Sequence, residues 1–90
     1  MKSKVTLKFW KLYNKLPIDM QRRARKAYQA WKTNPRTPSL QFKRVSKVMT
    51  VYSARINDNY RVLGVLQDDT VNWFWLGDHD EYERLLKQLS

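Results

Sequence analysis

The spacing of apolar positions changes period once along the chain, dividing it into a helical half and a β half. Phe9, Leu12, Tyr13 and Leu16 recur at i, i+3, i+4 and i+7, the spacing of one helical face, and Lys8, Lys11 and Lys15 fall on the other side. Pro17 breaks this run and suits the first turn of a second helix. That helix is expected from about Ile18 to Thr33, with Met20, Ala24, Ala27, Tyr28 and Trp31 along one stripe. The two helices are expected to form an antiparallel hairpin. Asn34-Pro35 ends it, because the residue before a proline disfavours the helical region, and Arg36 to Ser39 connects onward. Ahead of the first helix, Lys2 to Thr6 is a candidate edge strand.

From Leu40 the period is 2. Leu40 to Val45, Val48 to Ile56, Tyr60 to Leu66 and Val71 to Leu76 read as four strands, joined at Ser46-Lys47, Asn57-Asp58-Asn59 and Asp68-Asp69. Short joints of this kind make an antiparallel meander. With a two-residue loop at Asp68-Asp69, one sheet face collects Tyr52, Ala54, Ile56, Tyr60, Val62, Leu66, Val71, Trp73 and Trp75, a bed for the helical hairpin. The opposite face carries Ser53, Arg55, Arg61, Leu63, Val65, Phe74 and Leu76, and its apolar part needs a cover. A last helix supplies one: Asp78 is a good N-cap with Glu81 three residues on, and Tyr82, Leu85, Leu86 and Leu89 form the stripe. The expected fold class is α+β, an N-terminal helical hairpin packed on a four-stranded antiparallel sheet with a C-terminal helix.

One register decides the chemistry. A three-residue loop at Asn57 to Asn59 pairs Ile56 with Tyr60 and Arg55 with Arg61, both guanidiniums on one face; a two-residue loop throws them onto opposite faces. Like charges directly across a ladder are unfavourable unless an anion, a carboxylate or solvent compensates them. Arg55 and Arg61 are therefore the candidate anion site, with salt bridges to Asp78, Asp80 or Glu83 as the alternative. Lys43 and Arg44 are adjacent and point to opposite faces. A two-residue turn at Ser46-Lys47 would pair Lys43 with Thr50 and put Arg44 on the face of Arg55.

The 90 residues suffice for one domain, 1–90, and 42% hydrophobic content with four Trp and five Tyr argues for a packed core. The absence of cysteine excludes thiolate chemistry and favours a reducing interior or a core that is adequate without disulfides. No apolar run approaches the ~18 residues of a membrane span, and Met1 to Lys4 leads into no signal-peptide apolar region. A cytoplasmic protein without membrane partners is expected. The net charge of +10 is uneven: residues 1 to 49 carry 14 Lys and Arg against one acid, Asp19, and residues 50 to 90 carry four against seven. Such a basic half implies a nucleic acid, the ribosome or an acidic protein as partner, or else a solvated surface that keeps the chain soluble.

A single histidine argues against a zinc site, and two glycines exclude a phosphate-cradling loop. An enzyme built from these residues is expected to work without metal or cofactor. Cleavage of RNA through its own 2′-hydroxyl needs only a proton acceptor, a proton donor and cations around the phosphorane. His79, just after Gly77-Asp78 at the start of the last helix, is a proton-exchange candidate or a plain surface residue. Tyr82 shares the stripe of Leu85, Leu86 and Leu89 and reads first as a core residue with an exposed hydroxyl.

The order of elements, with Ser53-Ala54-Arg55-Ile56, then Tyr60-Arg61-Val62-Leu63, then Trp75-Leu76-Gly77-Asp78-His79-Asp80-Glu81-Tyr82, resembles the RelE/ParE superfamily of bacterial toxins. Leu16-Pro17, Asn34-Pro35 and Ser39-Leu40-Gln41-Phe42-Lys43 match one branch of it. The resemblance implies the toxin half of a type II toxin-antitoxin pair, whose oligomers form only with a cognate acidic antitoxin. RelE-like members cleave messenger RNA in the ribosomal decoding site without metal, whereas ParE-like members bind DNA gyrase and lack the catalytic set. By position, Arg55, Arg61, His79 and Tyr82 match the RelE-like catalytic group, and Arg22, Arg23, Lys26, Lys43 and Arg44 would dock on RNA. The three acids Asp78, Asp80 and Glu81 depart from that pattern, since they repel a phosphate backbone. The expected function is thus a ribosome-dependent messenger RNA endoribonuclease, with a gyrase-binding toxin or a basic nucleic-acid-binding module as alternatives.

Overall fold

The structure is a computed structural model and describes residues 1–89. Helix α1 (Leu7–Asn14) begins where Thr6, in extended conformation, accepts a hydrogen bond at Oγ1 from the Phe9 N–H at 3.1 Å. It closes on Lys15 and Leu16, whose N–H groups bond the carbonyls of Leu12 and Tyr13. Pro17 is the N-cap of α2 (Ile18–Thr33), one position ahead of the first turn. Gln21 ties the joint, donating from Nε2 to the carbonyls of Tyr13 at 3.2 Å and Leu16 at 3.3 Å. Beyond α2 the chain makes a short 3-10 turn at Pro38–Leu40, and Gln41 adopts left-handed backbone with φ 46°.

Five strands follow the order β1-β5-β4-β3-β2: β1 (Lys2–Val5), β2 (Lys43–Arg44), β3 (Val51–Arg55), β4 (Tyr60–Gln67) and β5 (Thr70–Asp78). The candidate edge strand is real, but it lies parallel to β5, with Lys2 opposite Thr70 and Val5 opposite Trp73. The sheet is therefore mixed rather than four-stranded and antiparallel. Leu40 and Phe42 leave the first meander strand for the core, and β2 keeps only two residues.

Two registers differ from the simple alternation. The β2–β3 connection runs through Ser46 to Thr50 and not through a two-residue turn: Val45 N–H bonds Val51 O, so Lys43 faces Ser53 and Arg44 faces Tyr52. The cause is Ser46, whose buried Oγ accepts the N–H groups of Val48 and Met49 and donates to Leu89 O. The shift is odd, so it exchanges the faces of Lys43 and Arg44. The second irregularity is a β-bulge. Leu63 pairs with Trp75 but Gly64 pairs with Trp73, leaving Phe74 as the extra residue. From that point Trp75 leaves the face of Trp73. Glycine is required beside it, because a Cβ on Gly64 would stand 2.5 Å from Val71 Cγ1 and 2.8 Å from Trp73 Cε3.

The sheet has a core on each face, and the bulge assigns Trp75 to the second. Trp31, Leu40, Ala54, Val71 and Trp73 pack under α1 and α2, with Trp31 and Trp73 edge to face at 5.3 Å. Val51, Leu63, Trp75 and Tyr82 pack on the other side under α3 (His79–Leu89), together with Leu85, Leu86 and Leu89. The last helix is thus the cover that the apolar part of that face required.

Candidate functional site

The site grows from the β3–β4 hairpin. Asn57 turns the chain: its Oδ1 accepts the N–H groups of Asn59 at 2.9 Å and Tyr60 at 3.0 Å, and Ile56 N–H bonds Tyr60 O at 3.1 Å. The loop is the three-residue one, and Arg55 lies directly across from Arg61. The like charges are compensated at the turn itself. Arg55 pairs with Asp58, and Arg61 donates from Nη1 to the carbonyls of Asn57 and Tyr60. Asp58 is 88% exposed, so the pair costs little to open and leaves Arg55 available to a stronger anion. Among the described residues, neither arginine pairs with Asp78, Asp80 or Glu83.

The other wall is α3, which follows β5 with no loop. His79 N–H bonds Asn59 O at 2.8 Å, pinning the helix start to the hairpin turn. Asp78 caps the helix, its Oδ1 accepting the Glu81 N–H at 2.9 Å. That bond holds the Asp78 carboxyl below the usual carboxylate range, with the Glu81 side chain and the Arg84 charge adding to it against a desolvation that works the other way. The three acids at the helix start are therefore partly consumed by capping. The His79 imidazole is half exposed, its Nε2 3.4 Å from Glu83 Oε1, and its ring centre lies 5.9 Å from that of Tyr82.

Tyr82 differs from expectation. It belongs to the second core as the stripe implied, but its hydroxyl is buried and donates to Ser53 Oγ at 3.2 Å. Ser53 is the residue that periodicity under-read: it stands two positions before Arg55 on the same face, opposite Lys43, directly beneath Tyr82. Lys43, Arg44, Ser53, Arg55, Arg61, His79, Tyr82 and Glu83 line one cleft of about 380 Å³. Arg44 reaches it from the edge strand with its guanidinium bonded to Ser46 O at 2.9 Å. Arg22, Arg23 and Lys26 do not line this cleft; they are exposed on α2.

Lys43, Arg55 and Arg61 thus share a concave surface with an imidazole, large enough for an anion of phosphate size, with Arg44 at its edge and one carboxylate, Glu83, beside the imidazole. The fold around this cleft is shared with solved toxin structures. The RelE–RelB complex from Methanococcus jannaschii matches at TM-score 0.73 and 16% identity over 91% of this chain and 96% of that one. The YoeB/ParE toxin from Agrobacterium tumefaciens matches at TM-score 0.68 and 18% identity, over 88% and 99% of the two chains. The RelE–RelB complex from Pyrococcus horikoshii matches at 0.67 and 20%, over 86% and 92%. A search of curated protein sequences gives no match. The family model described as the ParE-like toxin domain matches residues 19–84, from the first turn of α2 through the hairpin and into α3, and the chain belongs to that family of toxins.

Proposed function

We propose that the protein arrests growth as a ribosome-dependent messenger RNA endoribonuclease, the toxin half of a toxin-antitoxin pair. The observation that carries this reading is the cleft that gathers Lys43, Arg44, Arg55, Arg61, His79 and Tyr82. Arg55 and Arg61 hold the scissile phosphate and neutralise the charge that grows on its oxygens. His79 takes the proton from the 2′-hydroxyl, the 2′-oxygen attacks phosphorus, and the bond to the 5′-oxygen breaks, leaving a 2′,3′-cyclic phosphate. The departing 5′-oxygen takes up a proton from Tyr82 or Lys43, both of which line the cleft. Arg22, Arg23 and Lys26, exposed on α2 and outside the cleft, serve ribosomal RNA, where phosphate contacts give sequence-independent, salt-sensitive affinity. The basic half also fits an acidic antitoxin, in keeping with the RelE–RelB complexes among the structural relatives.

A gyrase-binding toxin is the second reading. It is favoured by the ParE-like family model and by the Tyr82 hydroxyl, which Ser53 already occupies. The deciding experiment adds the protein to a bacterial translation reaction and maps new 5′ ends on the message, with ribosome-free RNA alongside. New ends on translated message alone support the nuclease. Growth arrest with no new ends, accompanied by DNA damage, overturns it in favour of gyrase.

A further inference from the structure

The four tryptophans divide sharply by exposure. Trp31, Trp73 and Trp75 are 2%, 4% and 8% exposed, whereas Trp10 on α1 is 46% exposed. Its ring is nevertheless held. It meets Phe9 edge to face at 6.0 Å and Tyr13 at 5.3 Å, and Tyr13 is buried at the joint of α1 and α2. The setting is cationic. Lys8, Lys11 and Lys15 are exposed on the same segment, α1 carries no acid, and Asp19 is the only acid in the first 49 residues. Trp10 and Arg25 of α2 border one open cavity of about 160 Å³ between the two helices and the sheet. Among the described residues, none of these four cations forms a salt bridge. An indole fixed in place, half in solvent and accompanied by unpaired cations offers what a nucleic-acid strand uses: a flat surface for a base and charge for the phosphates on either side. A membrane-binding face needs a longer apolar stripe than the exposed Leu7 and Trp10 provide.

We propose that Trp10 is a stacking platform for an unpaired RNA base, with Lys8, Lys11 and Arg25 holding the flanking phosphates. Trp10 does not line the cleft beneath α3, so the platform is a docking contact and takes no part in cleavage. It deepens the ribosome reading by naming one contact that docking on ribosomal RNA uses. Binding requires no cleavage, so the two can fail separately.

The probe is an oligoadenylate of ~8 nucleotides with 2′-O-methyl sugars, which cannot be cut, set against an abasic oligomer of the same length and charge. Affinity is read by calorimetry, and contact by tryptophan emission, to which Trp10 is the exposed contributor. The oligoadenylate should bind about fivefold or more tightly than the abasic oligomer and quench the emission. Trp10→Leu keeps an apolar side chain against Phe9 and Tyr13 and should bring both probes to the same affinity, whereas Trp10→Phe should keep part of the difference. If Trp10→Leu loses its melting transition, Trp10→Phe decides alone, since its smaller ring should still lower the preference. Lys8→Gln and Lys11→Gln should weaken both probes alike and reduce the salt slope by about one each. The proposal fails if the abasic oligomer binds as tightly as the oligoadenylate, if the folded Trp10 variants keep the full preference, or if saturation leaves the emission unchanged. A response to phosphatidylglycerol vesicles and not to the oligoadenylate would overturn it in favour of a membrane, and a response to protein concentration alone in favour of a second copy of the chain.

Discussion

The two sides of the sheet are built on different terms. Under α1 and α2 the core is large and aromatic, but it keeps an open cavity and, among the described residues, two buried indole N–H groups without partners. Under α3 the buried polar atoms are joined across long sequence distances: Tyr82 to Ser53, and Ser46 to Leu89 O. Apolar packing tolerates sliding, whereas hydrogen bonds fix direction. The side that carries the cleft is the side whose buried polar groups are joined, and the His79 N–H bond to Asn59 O ties the start of α3 to the turn of the arginine hairpin.

The largest effect that would break this comparison is functional. Replacing Arg55 and Arg61 together by alanine should lower message cleavage by about 10³-fold or more while the melting temperature moves little. A fully toxic double variant would overturn the assignment of the cleft. Next comes a matched pair of leucines. Leu63 is fully buried in the second core, and Leu63→Ala should cost about 4 kcal/mol in urea denaturation. Leu40 sits in a short turn beside the cavity, where the surroundings can relax, and Leu40→Ala should cost nearer to 2 kcal/mol. Equal costs would mean that the two cores are equally rigid.

A smaller effect tests the pinning directly. Ser53→Ala leaves the buried Tyr82 hydroxyl without its partner and should cost about 1–2 kcal/mol, and the double variant with Tyr82→Phe should recover part of that. Smallest is the cap. The folded Asp78 carboxyl titrates below its usual 3.8, so its contribution is fully present above that value and is lost as pH falls through the lower folded one. Asp78→Ala should therefore lower the melting temperature at neutral pH, and the difference from the parent chain should shrink as acid is added below pH ~4. A difference that stays constant down to pH ~2 would show that the cap does not depend on charge.

The contents of the cleft were legible wherever local chemistry fixes geometry. Asn57-Asp58-Asn59 set the hairpin loop, and with it the pairing of Arg55 and Arg61, through bonds made within four residues. Asp78 and Glu81 marked the start of α3 in the same local way. What escaped was decided from afar. Ser46 looks like a turn residue in a two-residue connection, but it is held by Leu89 O, and that contact displaces the register of Lys43 and Arg44. The bulge at Phe74 has no turn residue to announce it and arises from the fit of Trp73 and Trp75 against opposite cores. Arg22, Arg23 and Lys26 are legible as a basic face, but their distance from the cleft is a property of the fold.

The parallel pairing of β1 with β5 also sets an order of assembly. Lys2 meets Thr70, so the contact that closes the sheet spans most of the chain and waits until β5 has left the ribosome. The β3–β4 hairpin is local in sequence, and a β-hairpin forms within about 1–10 microseconds. The paired arginines lie on this local hairpin, whereas the imidazole and the phenol belong to α3, at the end of the element order. On the nuclease reading, a chain folded only as far as the hairpin would carry the two arginines without the imidazole or the phenol that complete the cleft.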